Sequence, residues 1–173
     1  MVASRPDLRI EALAPHHDRN GFSCGIDSLD RYFKTQAAQD VRRKANGVFV
    51  LTEPERPDVV LGYYTLCATA LAQGDVPAAA RKHVPRYPLV SATLVGRLAV
   101  SETRQGERLG AMLLADAVRR THASAATVGS SMLVVDAINE RAAAFYEANG
   151  FVRLPESLRL VLPMHVIKGL VEP

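Results

Sequence analysis

The chain has 173 residues, 48% of them apolar and 23% charged, the balance of an ordinary folded domain rather than of a disordered or fibrous chain. No apolar run reaches the roughly 18–20 residues of a membrane span, and the opening stretch MVASRPDLRIEALAPHH carries charges where a signal peptide needs an unbroken apolar segment. A single domain over residues 1–173, cytoplasmic and away from any membrane, is the expectation, and a net charge of +3 admits an anionic ligand or nucleic acid without requiring either.

In chain order, Arg9 to Leu13 reads as a short first strand. Asp27 or Ser28 is placed to cap a helix whose apolar face is Leu29, Tyr32, Phe33 and Ala37, fading near Asp40 to Lys44. Gly47 to Thr52 is a strand, the turn EPERPD follows, and Val59 to Leu71 is the returning arm of a hairpin. Pro77, Pro85 and Pro88 bracket a short irregular or helical piece, and Leu89 to Val100 is the next strand. A polar loop, Ser101 to Gly110, leads into a helix from about Glu107 to His122 with Leu109, Met112, Leu113 and Ala117 on one face. Ser131 to Ala137 is a buried strand, and Asn139 to Asn149 a helix closed by Gly150. Phe151 to Arg153 starts a strand, and Leu158 to Val166 is the last one. Strands alternating with helices argue for an α/β or α+β sheet with helical cover.

Cys24 and Cys67 lie far apart with no CxxC spacing, so neither a disulfide framework nor a zinc site is expected. Cys67 reads as a small core residue and Cys24 as loop packing. His16, His17, His83, His122 and His165 show no HExxH spacing and read as surface or strand-end residues, so no metal is expected. The basic groups Arg42-Arg43-Lys44 and Arg81-Lys82-His83 with Arg86 read, by themselves, as solvated faces.

Two stretches carry chemistry. The first is strand, glycine loop, helix: LVGRLAVSETRQGERLGAMLLADAVRR. The N-terminus of a helix offers unpaired N–H groups and a positive dipole end to an anion, and glycine lets a diphosphate approach the backbone. The spacing matches neither GxxxxGK[ST] nor GxGxxG, which weighs against nucleotide hydrolysis and dinucleotide binding. The second is VVDAINERAAAFYEANGF, where Asn139 and Tyr146 stand two helical turns apart on nearly one face with Ala142 and Ala143 between them. That face can pack a ligand chain between an amide and a phenol; equally, Asn139 can be a plain helix cap and Tyr146 half-buried packing.

Together, in this order, the two stretches resemble the GNAT N-acetyltransferases. Their acetyl-CoA loop follows Q/R-x-x-G-x-G/A; Gln105 and Gly110 match it, with Arg108 where the middle glycine is usual, a position an arginine can fill if it is already helical. The family's later helix reads N-x-x-A-x-x-x-Y-x-x-x-G-F, which Asn139, Ala143 (one place displaced), Tyr146, Gly150 and Phe151 follow. FSCGIDSLDRY at 22–32, LGYYTL at 61–66, RYPLV at 86–90 and GRLAV at 96–100 resemble the branch containing the toxins of toxin–antitoxin pairs that acetylate the α-amine of aminoacyl-tRNA.

The resemblance implies a mixed sheet of about six to seven strands, splayed in the middle and flanked by about four helices. It implies that Leu98, Ala99 and Val100 hold the pantetheine arm, with backbone N–H groups near Val100 for the oxyanion. Gln105, Gly106, Glu107, Arg108, Leu109, Gly110 and Ala111 would cradle the pyrophosphate, with Arg104 and Arg108 near CoA phosphates, and Asn139 would touch the cofactor arm. Tyr146 would be the general acid for the leaving thiolate, with no enzyme nucleophile needed. Aminoacyl-tRNA would meet Arg42, Arg43, Lys44, Arg81, Arg86 and Arg97. A ribbon–helix–helix antitoxin and a homodimer are implied partners. The alternatives are a GNAT acting on a small amine or a protein N-terminus, or a CoA-binding module without turnover.

Overall fold

The computed structural model describes residues 7–172. Seven strands form one mixed sheet in the order β1-β2-β3-β4-β5-β7-β6. They are β1 (Arg9–Ala12), β2 (Gly47–Thr52), β3 (Gly62–Ala72), β4 (Leu89–Val100), β5 (Met132–Asp136), β6 (Val152–Arg153) and β7 (Arg159–Pro163). The helices are α1 (Asp27–Thr35), α2 (Ala37–Arg42), α3 (Leu109–Ala125), α4 (Glu140–Ala148) and α5 (Met164–Val171). Neighbouring pairs β1–β2, β5–β7 and β6–β7 are antiparallel, and β4–β5 is parallel. A parallel pair needs a long crossover, which the segment containing α3 supplies.

The chain divides into two compact units: the part up to Thr65 with Arg97–Asp116, and Leu66–Gly96 with the part from Ala117 on. In the first, β1 pairs with β2 from Arg9↔Thr52 to Ala12↔Phe49. Phe22, Phe33 and Tyr63 form its core, with Phe33 and Tyr63 stacked at 4.4 Å and Phe22 meeting both edge-on. Alternation along β3 sends Tyr64 to the opposite face, where its ring stacks on Phe49 and its hydroxyl donates to Asp116 of α3. Gly62 is required by close approach: a Cβ there would lie 2.9 Å from both the Ala99 carbonyl oxygen and Leu113 Cδ1.

In the second unit, Val90, Ala92, Met132, Val134 and Val161 build a core with Leu71, Val76 and Ala80. Residues 78–83 form a 3-10 turn, where the prolines bracket a piece expected to be irregular or helical. His83 stacks on His165 of α5 with ring centroids 4.0 Å apart.

Several local expectations are corrected. Ile26, in extended backbone, is the cap of α1; Asp27 already lies in the helix, where it and Asp30 meet the positive dipole end. The apolar face is shared by α1 and α2, because the helix breaks at Gln36 and restarts at Ala37. The chain from Met164 is helix α5, not the end of a strand: Pro163 closes β7, and Ile167 is the buried residue of the new helix. Cys67 is half-buried rather than core, and His17 is fully buried rather than superficial.

Candidate active site

The end of β4 carries the first group of expected residues. Parallel pairing with β5 covers Thr93–Val95 and goes no further, although β4 itself runs on to Val100. Leu98 and Val100 are half-buried and Ala99 is buried. The Ser101 N–H donates to the Leu61 carbonyl and the Glu102 N–H to the Ser23 carbonyl, both at 2.8 Å. Gln105 fastens the loop to the strand: its Nε2 donates to the carbonyls of Val100, at 3.2 Å, and of Cys24, at 3.1 Å.

The loop turns in left-handed backbone at two points, Gly106 (φ 84°) and Arg108 (φ 61°). Arg108 is therefore not helical, and α3 starts at Leu109 rather than near Glu107. A side chain in this backbone region costs energy that glycine avoids, so the unusual residue is also the strained one. Leu109, Gly110 and Ala111 are the first residues of α3, and their N–H groups precede the intrahelical ladder; the Met112 N–H is the first to reach back, to the Arg108 carbonyl. Arg104 is already engaged within the protein: Nε and Nη2 donate to the Glu107 carboxylate at 2.7 and 3.2 Å, and Nη1 to Glu53 at 3.4 Å. Those partners raise its pKa, and Arg56 and Arg104 together hold Glu53 below the usual carboxylate range.

Asn139 is the cap of α4. Its Oδ1 accepts from the Ala142 N–H at 2.9 Å, and its exposed amide NH₂ remains. Two turns on, Tyr146 is 7% exposed, its ring edge-on to Phe145 and Phe151. Burial alone pushes its phenol up to about 12. The other buried tyrosines each spend their hydroxyl, Tyr32 on Asp40, Tyr63 on the Leu29 carbonyl and Tyr64 on Asp116. Among the described residues, the Tyr146 hydroxyl has no hydrogen-bond partner.

No alternative nucleophile or metal centre competes among the described residues. Burial, then the hydrogen bond with Asp30, pushes the Cys24 thiol up to about 11, so its reactive thiolate is scarce at neutral pH. Glu11, His16 and His17 gather their ligand atoms within 4.8 Å, an arrangement the histidine spacing did not suggest. But His17 Nδ1 accepts from the Ala14 N–H at 2.9 Å, which leaves Nε2 to carry the proton it donates to Glu11 at 2.8 Å. A neutral imidazole with both nitrogens so engaged has no lone pair for a metal.

The basic candidates fall in both units. Arg42, Arg43 and Lys44 lie at the end of α2, with Lys44 exposed and in left-handed backbone. Arg81 and Arg86 are exposed and line a surface cavity with Lys82, Ala78, Ala79 and Val84. Arg97 differs from the rest: it is half-buried, with Cζ 3.5 Å from the centroid of the Tyr32 ring.

A model of the acetyltransferase (GNAT) domain family matches residues 45–153. A Mycobacterium tuberculosis protein named tRNA-acetylating toxin is 33% identical over 155 residues, 89% of this chain and 90% of that one. AtaT solved with acetyl-methionyl-tRNAfMet has a TM-score of 0.88 at 31% identity, over 95% of this chain and 99% of that one. An AtaT variant with a tyrosine replaced by phenylalanine, bound to acetyl-CoA and to the C-terminus of the antitoxin AtaR, has a TM-score of 0.82 at 29% identity, over 96% and 99%. The chain belongs to the GNAT acetyltransferase family.

Proposed function

We propose that this chain moves acetyl from acetyl-CoA to the α-amino group of aminoacyl-tRNA, and acts in the cytoplasm as the translation-blocking toxin of a toxin–antitoxin pair. The observation that carries the reading is Tyr146, a buried phenol with an unspent hydroxyl on the helix that follows the cap at Asn139. A relative named for tRNA acetylation, and AtaT solved with an acetylated aminoacyl-tRNA, support the choice of acceptor.

Leu98, Ala99 and Val100 hold the pantetheine arm through their backbone. Gln105, Gly106, Glu107, Arg108, Leu109, Gly110 and Ala111 cradle the pyrophosphate, chiefly through N–H groups at the start of α3. The Asn139 amide meets the cofactor arm. The amine lone pair attacks the acetyl carbonyl carbon, the carbon–sulfur bond breaks, and the sulfur takes the proton of Tyr146 Oη. The amine's surplus proton leaves to water, and solvent restores the phenol. An α-amine titrates near pH ~7.7–8.0, so much of it is already neutral and no strong base is needed. Tyr146 holds its proton at neutral pH, as a donor must.

Arg42, Arg43, Lys44, Arg81, Arg86 and Arg97 contact the RNA backbone. The antitoxin is of the ribbon–helix–helix type, and the enzyme is a homodimer. The test is labelled acetyl transfer to total charged tRNA. Tyr146→Phe loses roughly 100-fold or more in rate, while calorimetry finds acetyl-CoA bound as in wild type. Equal rates remove Tyr146 from the mechanism, and no labelled tRNA from the wild type removes the acceptor.

A further inference from the structure

Arg97 stands in β4 immediately before Leu98, and its guanidinium lies on the Tyr32 ring of α1. A separation of 3.5 Å from the centroid is close, and the quadrupole of the ring attracts the charge. The platform is itself fixed. The Tyr32 hydroxyl donates to Asp40 at 2.8 Å and accepts from Asn46 at 3.3 Å, and Asn46 also donates to Asp40 at 3.0 Å. Tyr32, Asp40 and Asn46 thus hold one ring in one orientation.

What Arg97 lacks is equally informative. Arginine presents five N–H donors in a rigid fork suited to two oxygens at once. Among the described residues the Arg97 guanidinium has no ion pair and no hydrogen bond, although the residue is half-buried. The charge of Asp40 acts on it only from beyond ion-pair distance. A half-buried guanidinium whose face is stacked and whose fork is idle is arranged for an external anion, since burying a donor without an acceptor costs free energy.

We propose that Arg97 grips a phosphodiester close to the acylated end of the acceptor, and that Tyr32, steadied by Asp40 and Asn46, positions it. This rests on the aminoacyl-tRNA reading above and names the residue that separates such an acceptor from a small amine. The distance suits it: Arg97 and Val100 are three residues apart, roughly 10 Å along an extended strand. That is about the span from the α-amine of an aminoacyl ester, across its ribose, to the 5′ phosphate. Planar bidentate pairing favours a phosphate oxygen pair over a lone carbonyl. The cations at Arg42, Arg43 and Lys44 would attract RNA at long range, whereas Arg97 reads one linkage at close quarters.

The experiment uses the full chain, with charged tRNA for kinetics and deacylated bulk tRNA as the binding probe over a series of salt concentrations. For Arg97→Gln, KM for aminoacyl-tRNA rises about tenfold or more, the effect of removing one charge-assisted hydrogen-bonding pair, with a smaller change in kcat. The dependence of log Kd on log salt becomes shallower by about 0.7–0.9, the share of a single phosphate. Acetyl-CoA binding by calorimetry stays at the wild-type value. Arg97→Lys restores the salt slope but only part of KM, because it returns the charge without the fork. Tyr32→Phe, which keeps the ring but frees it from Asp40, raises KM less than Arg97→Gln does. An unchanged KM and slope in both Arg97 variants overturns the proposal, as does full recovery by lysine. If the wild type acetylates no charged tRNA, the functional reading fails; the salt slope then decides the phosphate pairing by itself.

Discussion

A fully buried hydroxyl without a partner is a cost the fold does not recover, and among the described residues Thr65 carries it, whereas the Tyr146 hydroxyl, which also has no protein partner, is not sealed from solvent. Thr65 lies in β3, its Oγ1 fully buried and without a hydrogen-bond partner. The two are distinguished by what removal should do. Thr65→Val replaces an unsatisfied hydroxyl by a methyl of the same shape, so we expect unchanged or higher stability, by up to about 1 kcal/mol in urea unfolding. A marked destabilisation would reveal a hidden water as its partner. Tyr146→Phe should likewise leave stability at or above wild type while abolishing most of the rate, which separates chemistry from folding. Arg108 tests strain in the same way. Its φ of 61° suits glycine, so Arg108→Gly should raise stability by roughly 0.5–1 kcal/mol, the left-handed penalty less the entropy of glycine. If the guanidinium also meets a CoA phosphate, calorimetry will show weaker acetyl-CoA binding in that stabilised protein.

At the scale of elements, β3 and the end of β4 are held close by a residue with no side chain. Gly62→Ala would push a methyl to 2.9 Å from the Ala99 carbonyl oxygen, which is backbone and cannot swing away. The expected cost is about 2–3 kcal/mol in chemical denaturation, with reduced acetyl transfer because the same displacement reaches Val100. A fully stable, fully active variant would mean that the strands can separate. Nothing in the sequence singles this glycine out, because close approach across a sheet leaves no local signature. What is legible there is periodic or punctuated. The strand Leu89–Val100 is long and β-branched, and the α4 helix is bounded by Asn139 and Gly150, a cap and a C-terminal glycine at φ 93°. The apolar run at 158–166 reads as one strand because a short apolar segment does not distinguish strand from helix, yet Pro163 divides it into one of each. The start of α3 falls later than the sequence suggests because left-handed backbone at a non-glycine residue is invisible in the residue's identity. The loop motif therefore marks a left-handed turn leading into a helix, while the pairing of Arg104 with Glu107 and the stacking of Arg97 on Tyr32 depend on which chain segments meet in space.

For the molecule as a whole, acid should act in two stages. His165 is exposed, and its pKa lies below its ordinary 6.5, first because the desolvation it meets beside its neighbours disfavours its charged form and then because His83 and Lys82 repel it, so solvent keeps this step small. A base whose folded pKa is depressed takes up its proton more readily when unfolded. Stability is therefore fully present above about pH 6.5 and begins to fall as the pH drops through that value. The second stage belongs to carboxylates. Asp40 is held down first by the Tyr32 hydroxyl, Glu53 by Arg56 and Glu140 by Arg153. An acid with a depressed folded pKa contributes stability above its unfolded value, and that contribution is lost as the pH falls from the ordinary carboxylate values of 3.8–4.5 towards the folded ones. Glu140 is exposed and Asp40 and Glu53 are half-buried, so solvent screens each pair in part and each step shrinks in salt. Urea midpoints measured from pH 8 to pH 3 should decline gently below pH 6.5 and more steeply below about pH 4.5. His165→Gln should erase the first decline and leave the second, because glutamine can stack on His83 without taking a proton. A first decline that persists in that variant would show that His165 does not cause it.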